Sequence, residues 1–169
     1  MLSRKRAGGQ QKREKEDDMS SFDALNISAS GLTAQRVRMD TISQNLANVN
    51  TTRDENGNVF RRKTVLFQTK GYDTFSNLLA MSQQDNATNL IGNGVKVTAI
   101  VEDHATPLRK VYEPGNPDAD EDGYVTQPNI NSVTEITNLI DASRAYEANI
   151  TAFNATKNML LKGLEVGKG

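Results

Sequence analysis

The stretch SSFDALNISASGLTAQRVRMDTISQNLANV, residues 20–49, decides the fold. Its large apolar side chains Leu25, Leu32, Met39 and Leu46 recur at a seven-residue step, with Ile42 and Val49 forming a second line beside them. That spacing predicts a helix with one apolar seam. Ser20 with Asp23 three residues on reads as a start signal, because a hydroxyl and a carboxylate satisfy the free amides of a first turn. Asn48, Asn50 and the threonines after them end the helix, since Asn tolerates left-handed geometry and competes for backbone hydrogen bonds. About thirty residues span ~45 Å. A rod of that length cannot bury its seam by folding back on itself.

A second periodic segment lies near the C-terminus. Leu139, Tyr146, Phe153 and Leu160 repeat every seven residues, flanked by Ile136, Ile150 and Leu164. It begins after Pro128, with Ser132 and Glu135 spaced as a capping box, and Gly163 is its expected stop. Two amphipathic helices of matched length at opposite ends of a chain are expected to pair through their seams. The periodicity leaves two uses open: an antiparallel hairpin or bundle core, and a surface for polymerisation.

Between the helices the texture changes. Val59–Gln68, Val95–Val101 and Leu108–Tyr112 are rich in β-branched and aromatic residues and are separated by Asn, Gly, Asp and Pro, which predicts strands of a small sheet domain. The polar segment 71–94 separates the first two, with Phe75, Leu78, Leu79 and Met81 offering a short helical turn. The expected fold class is therefore α+β, two long terminal helices pairing as a coiled-coil-like hairpin around a small inserted β-rich domain. The corresponding segments are 1–18 as an extension, 19–50 as the N-terminal helix, 51–128 as the β-rich domain and 129–164 as the C-terminal helix.

Composition limits what such a chain can do. Only 36% of its 169 residues are apolar and the mean hydropathy is -0.60, against ~45–50% apolar in an average domain. A single large core is not expected. Residues 1–18, MLSRKRAGGQQKREKEDD, hold six basic and four acidic residues with almost no apolar surface to offset chain entropy, which predicts disorder up to about Met19. The interrupting acids argue against a nucleic-acid arm, and a formal net charge of -1 gives no basic face for one. With no cysteine, disulfides, thiolate metal sites and a cysteine nucleophile are all excluded. No apolar run reaches the ~18–20 residues of a membrane span, and no cleavable secretion signal is expected near Met1.

The motifs that suggest chemistry fail on inspection. Asp118-Ala119-Asp120-Glu121-Asp122-Gly123 reads like the opening of a calcium loop, but its twelfth position, where a bidentate Glu belongs, is Asn129. An acidic turn between two extended segments fits better. His104 is the only histidine, so neither a His-pair metal site nor a Ser/His/Asp triad has enough members. Gly92-Asn93-Gly94 opens a strand rather than a helix, which is a turn and not a phosphate cradle. Glu102 and Asp103 are adjacent and would face opposite sides of a strand, unsuited to acid/base work. No catalytic, cofactor or metal site is expected, and no small-molecule substrate.

The first helix then supplies a sharper signal. Ser30-Gly31-Leu32, Gln35 and Arg36, and Ser43-Gln44-Asn45-Leu46-Ala47-Asn48 completed by Thr51, resemble the N-terminal signature of the flagellar rod and hook axial proteins. FRRKTVLF at residues 60–67, PDADEDGYVTQPNIN at 117–131 and ASRAYEANITAFNATKNMLL at 142–161 extend the resemblance over most of Phe22–Leu164 and narrow it to a proximal-rod member of that family. The resemblance implies a non-enzymatic structural subunit of the flagellar basal body, in the rod crossing the periplasm. Its partners would be copies of itself, other rod proteins, and the flagellar type III apparatus that exports it. It implies that Leu25, Leu32, Met39 and Leu46 face Leu139, Tyr146, Phe153 and Leu160 in the assembled tube, with Asn45, Asn48 and Arg144 in polar packing or subunit contacts. A soluble helical adaptor or export partner using the same seams is the competing reading, and it predicts a small oligomer with ordered ends.

Overall fold

The computed structural model describes the backbone of residues 3–53, 57–70 and 94–167, and within these the side chains from Phe22 onward. The elements are α1 (Ser3–Ala47), β1 (Lys63–Thr69), β2 (Val95–Glu102), β3 (Arg109–Tyr112), β4 (Tyr124–Gln127) and α2 (Ser132–Val166). Two helices thus flank a small β region of two antiparallel two-stranded sheets, β1 with β2 and β3 with β4, and the class is α+β as the periodicities require.

Several boundaries differ from the expectation, among them that of β1, which begins at Lys63 and not at Val59. Helix α1 starts at Ser3, so Ser20 is an interior position and not a cap. The C-terminal helix is capped one residue earlier than the capping-box spacing predicts. Asn131 Oδ1 accepts from the amides of Val133 and Thr134 at 3.0 and 3.2 Å, which frees Glu135 for other partners. Gly163 does not stop that helix either: the Gly167 amide still reaches the Gly163 carbonyl at 3.1 Å. The helical turn expected around Phe75–Met81 lies outside the described residues.

The chain divides into two compact units, which are taken in turn. The larger set of described residues, Ala34–Gln68 and Val97–Tyr146, holds the core. Its buried apolar side chains are Ala34 and Ile42 from α1, Val65 from β1, Val125 from β4, Ala142 from α2 and Ile130 just before it. They are few and mostly small, as the composition predicts. The hairpin β3–β4 pairs Tyr112 with Tyr124 and Val111 with Val125. The two tyrosine rings meet edge-on, 5.3 Å apart, an arrangement their quadrupoles favour. Gly123 turns the chain into β4 with φ of 80°, a conformation glycine adopts without a side-chain penalty.

The other unit comprises Met1–Thr33, Thr69–Lys96 and Glu147–Gly169. Here Gly31 lets the helices come close, since a Cβ on it would meet Asn149 Oδ1 at 2.8 Å. Ser30 ties α1 to the start of β2: its hydroxyl donates to the Ile27 carbonyl at 2.7 Å and accepts from the Val95 amide at 3.0 Å. Gly94 precedes that amide with φ of 93°, and a Cβ there would run into the Ser30 hydroxyl and lie 3.3 Å from Ile27 Cα. Both backbone and space therefore demand glycine. Gly94→Ala is expected to cost about 1–3 kcal/mol in urea unfolding, and Ser30→Ala combined with it should not restore the loss, because the left-handed backbone strain remains.

Candidate functional site

Asn45, in the last turn of α1, is completely buried. Its side-chain amide pairs with the backbone of Lys63 as a neighbouring strand would: Oδ1 accepts from the Lys63 amide and Nδ2 donates to the Lys63 carbonyl, both at 2.9 Å. Nδ2 also donates to Glu135 Oε2 at 2.8 Å. The other Glu135 oxygen takes a charge-assisted hydrogen bond from Arg62 Nε at 2.8 Å. Glu135 is itself 1% exposed, a carboxylate that could not be taken from water unless paired. Its place in the first turn of α2 adds the favourable end of the helix dipole.

A second asparagine repeats the device one residue away. Asn129 Oδ1 accepts from the Arg62 amide at 2.9 Å, while its Nδ2 donates to the carbonyls of Asp103 and Thr106 at 2.9 and 3.1 Å. Arg62 and Lys63, entering β1, are thus gripped by one side chain from each helical end of the chain. The Asp103 amide closes the ring by donating to the Arg62 carbonyl at 2.8 Å. Pro128 and Val125 pack beneath, both fully buried.

Asp103 also shapes the turn that follows. Its carboxylate accepts from the amides of Ala105 and Thr106, each at 3.0 Å, and from the Thr106 hydroxyl at 2.7 Å. The Thr106 amide foremost, then the Thr106 hydroxyl, hold its carboxyl below the usual aspartate value, against a small opposing desolvation.

The predicted seam residues occupy one kind of position. Leu25, Leu32, Met39, Leu46, Leu139, Tyr146, Phe153 and Leu160 are all half-buried. The buried helix residues of this unit lie beside them, Ala34, Thr41, Ile42 and Asn45 on α1 and Glu135 and Ala142 on α2. Of the signature residues, Ser30, Gly31 and Asn45 make the contacts described above. Asn48 closes the helix end locally, donating through Nδ2 to the Gln44 carbonyl at 2.8 Å and accepting from the Thr51 hydroxyl at 3.2 Å, and Ala47 is the last residue of α1. Arg144 is exposed on α2, and Gln35 Oε1 is a buried acceptor without a hydrogen-bond donor among the described residues.

Sequence reasoning gave Glu135 to a capping box and passed over Arg62, Asn129 and Asp103. The available signal was an Arg-Arg-Lys run at the mouth of a strand, which needs an acidic or amide partner when that strand is covered. Two of the four carboxylates of the calcium-like loop, Asp118 and Asp120, are engaged by the protein itself. Asp118 accepts from the Thr52 hydroxyl at 2.5 Å and lies 3.4 Å from Arg53, and Asp120 Oδ1 accepts from the amides of Asp122 and Tyr124. Among the described residues no three His or acidic side chains converge as metal ligands would, and no helix is long and apolar enough to cross a membrane.

Residues 25–53 match the model of the flagella basal body rod protein family, and residues 121–166 match that of the flagellar basal body rod FlgEFG protein C-terminal. The two matches hold Asn45 and Glu135, the ends of the buried clasp. The chain is 49% identical over 154 residues to the flagellar basal-body rod protein FlgC of Bacillus subtilis, with 89% of this chain and all of that one covered. It is 40% identical to that of Borreliella burgdorferi and 38% to that of Salmonella typhimurium, again over 89% of this chain and the whole of each relative. The chain belongs to the FlgC family of flagellar basal-body rod proteins. FlgC proteins are structural, and the rod of the basal body is where this one resides. The clasp thus lies within a structural subunit of the basal-body rod.

Arg62→Ala should cost about 3–5 kcal/mol in urea unfolding, because it leaves a buried carboxylate unpaired, and the double change Arg62→Leu with Glu135→Leu should cost less than that single one. A loss under about 1 kcal/mol for Arg62→Ala would count against the clasp. For Asp103, whose folded value is lowered, the stabilisation is present above the ordinary aspartate range near 3.8 and is lost as pH falls through the folded value. Asp103→Asn should therefore flatten the acid limb of the stability curve measured by thermal unfolding between about pH 5 and 2.

Proposed function

We propose that this FlgC protein is exported by the flagellar type III apparatus and polymerises helically in the proximal rod through its paired terminal helices. The observation that carries the assembly reading is on the outer side of α2. Val133, Ile136 and Ile140 fall at helical spacing and are 74%, 49% and 48% exposed, on the face turned away from buried Glu135 and Ala142. A chain this poor in apolar residues does not leave three branched side chains in water without a partner to cover them. In the proposed rod these residues and the half-buried seams meet neighbouring copies and other rod proteins. Contacts of that head-to-tail kind do not close, and so generate an open helical polymer.

Export fits the same physics. The chain has no disulfide to break, and its buried apolar side chains are few and small. Such a fold opens at low cost and can be threaded through a narrow channel. Residues 1–18, nearly devoid of apolar side chains, serve in this reading as an extension outside the assembling body, 19–50 and 129–164 as the axial helices, and 51–128 as the outer β-rich domain.

Ile140→Asp is the test. The position is exposed, so the thermal midpoint of the purified chain should move by no more than about 0.5 kcal/mol in equivalent stability. Basal bodies imaged from cells carrying it should lack complete rods, and swimming should be lost. Intact rods and normal motility would sink the assembly reading. Leu139→Asp and Leu32→Asp probe the half-buried seams in the same assay and are expected to impair both folding and assembly.

A further inference from the structure

Beside the clasp lies a half-open cleft of about 320 Å³. Its walls carry Arg38, Arg62, Lys63 and Glu135 over a floor of Ile42, Val65 and Phe67. Glu135 neutralises Arg62 at 2.8 Å, so the cleft keeps two positive charges, on Arg38 and Lys63. Lys63 Nζ rests 5.3 Å from the Phe60 ring centroid, a weak partner beside an anion. Arg38 has no hydrogen-bond or ion-pair partner among the described residues. A guanidinium facing a cleft with an apolar floor is well placed for a bidentate carboxylate contact.

The complementary charge sits at the tip of the β3–β4 hairpin. Asp120 spends its carboxylate on the amides of Asp122 and Tyr124, at 3.2 and 2.7 Å, and the Gly123 amide donates to the Asp120 carbonyl at 2.9 Å. That fixed turn presents Glu121 and Asp122 to solvent, and among the described residues neither carboxylate has a partner. Behind them stand Tyr112 and Tyr124, 63% and 43% exposed. The tip therefore offers two unpaired carboxylates backed by aromatic surface, and the cleft offers two cations without an anionic partner among the described residues, beside Phe67, itself 39% exposed. Within one chain the tip carboxylates remain exposed, so they do not fill their own cleft.

We infer that the acidic hairpin tip of one copy, Glu121 and Asp122, docks into the Arg38–Lys63 cleft of the next copy. This rests on the assembly reading and adds to it a polar contact that fixes which neighbour is recognised, since charge pairing selects partners and register more than it adds affinity. The contact is heterologous, tip to cleft, and so repeats along an open polymer. Neither Arg38 nor the tip residues belong to the clasp.

The absence of native cysteine makes the test direct. Full-length Arg38→Cys and Asp122→Cys chains are co-expressed in flagellated cells and oxidised in place. The expected result is a reducible dimer containing one chain of each variant, at least about tenfold more abundant than the dimer from either variant alone. The charge-swap arm uses Arg38→Glu and the pair Glu121→Lys with Asp122→Lys: each should abolish swimming while leaving thermal unfolding in place, and the two combined in one chain should restore it. Assembled rods without the mixed dimer, a link only to a different rod protein, or full swimming by both charge-reversed chains would each overturn the proposal. These outcomes are separate from failure of the rod reading, which is decided by Ile140→Asp with tip and cleft unaltered.

Discussion

The architecture depends on one buried carboxylate. Glu135 is 1% exposed, and an unpaired charge at that depth would cost several kcal/mol. Its partners come from opposite parts of the sequence, Asn45 at the end of α1 and Arg62 at the start of β1. Neither helix can settle into this unit without the other, nor can the first strand enter elsewhere. The interaction is therefore less a source of net stability than a specification of which groups must meet. An apolar contact of equal area would tolerate sliding by a turn, whereas a carboxylate with two named donors does not.

The asparagines extend that logic to the backbone. An edge strand has unpaired amides and carbonyls that invite pairing with foreign chains. Asn45 and Asn129 occupy those groups on Arg62 and Lys63 with side-chain amides, so the strand entrance is closed by groups that carry no β-structure of their own. The same residues tie the small sheet to both helical ends. Pro128 stands between Asn129 and the hairpin β3–β4, and it and Val125 of β4 are both fully buried.

How much of this was legible in the sequence follows from what each feature needs. The two helices declare themselves by period, because Leu25–Leu46 and Leu139–Leu160 repeat along one element, and β1 to β3 by their β-branched and aromatic residues. Strand β4, Tyr124–Gln127, is set apart by its pairing with β3 rather than by its length, which β3 shares. The clasp was hidden for a related reason. Asn45, Arg62, Asn129 and Glu135 are each ordinary where they stand, an amide near a helix end, a cation near a strand, an acid in a first turn. Their significance lies in a convergence across gaps of 18, 73 and 90 residues, which no local spacing encodes. Glu135 went to a capping box because the sequence places Ser132 three residues before it, while Asn131 holds the cap by standing one step outside the helix, where its side chain can turn back.

On the two helices the deepest burial in this unit falls on Ala34, Thr41, Ile42, Asn45, Glu135 and Ala142, beside the half-buried leucines. Under the assembly reading proposed above, large side chains there would bury apolar surface that contacts between copies would use. With mostly small and polar groups there, specificity is settled inside the chain at little apolar expense. The leucines, Tyr146 and Phe153 then stay half-buried, and Val133, Ile136 and Ile140 stay out in solvent. At roughly 25 cal/mol per Å² of apolar surface, covering those remainders in the proposed assembly would provide a driving force that is unavailable to the isolated chain. In that proposed assembly, polar pairing would fix the fold of each copy and apolar contact between copies would complete it.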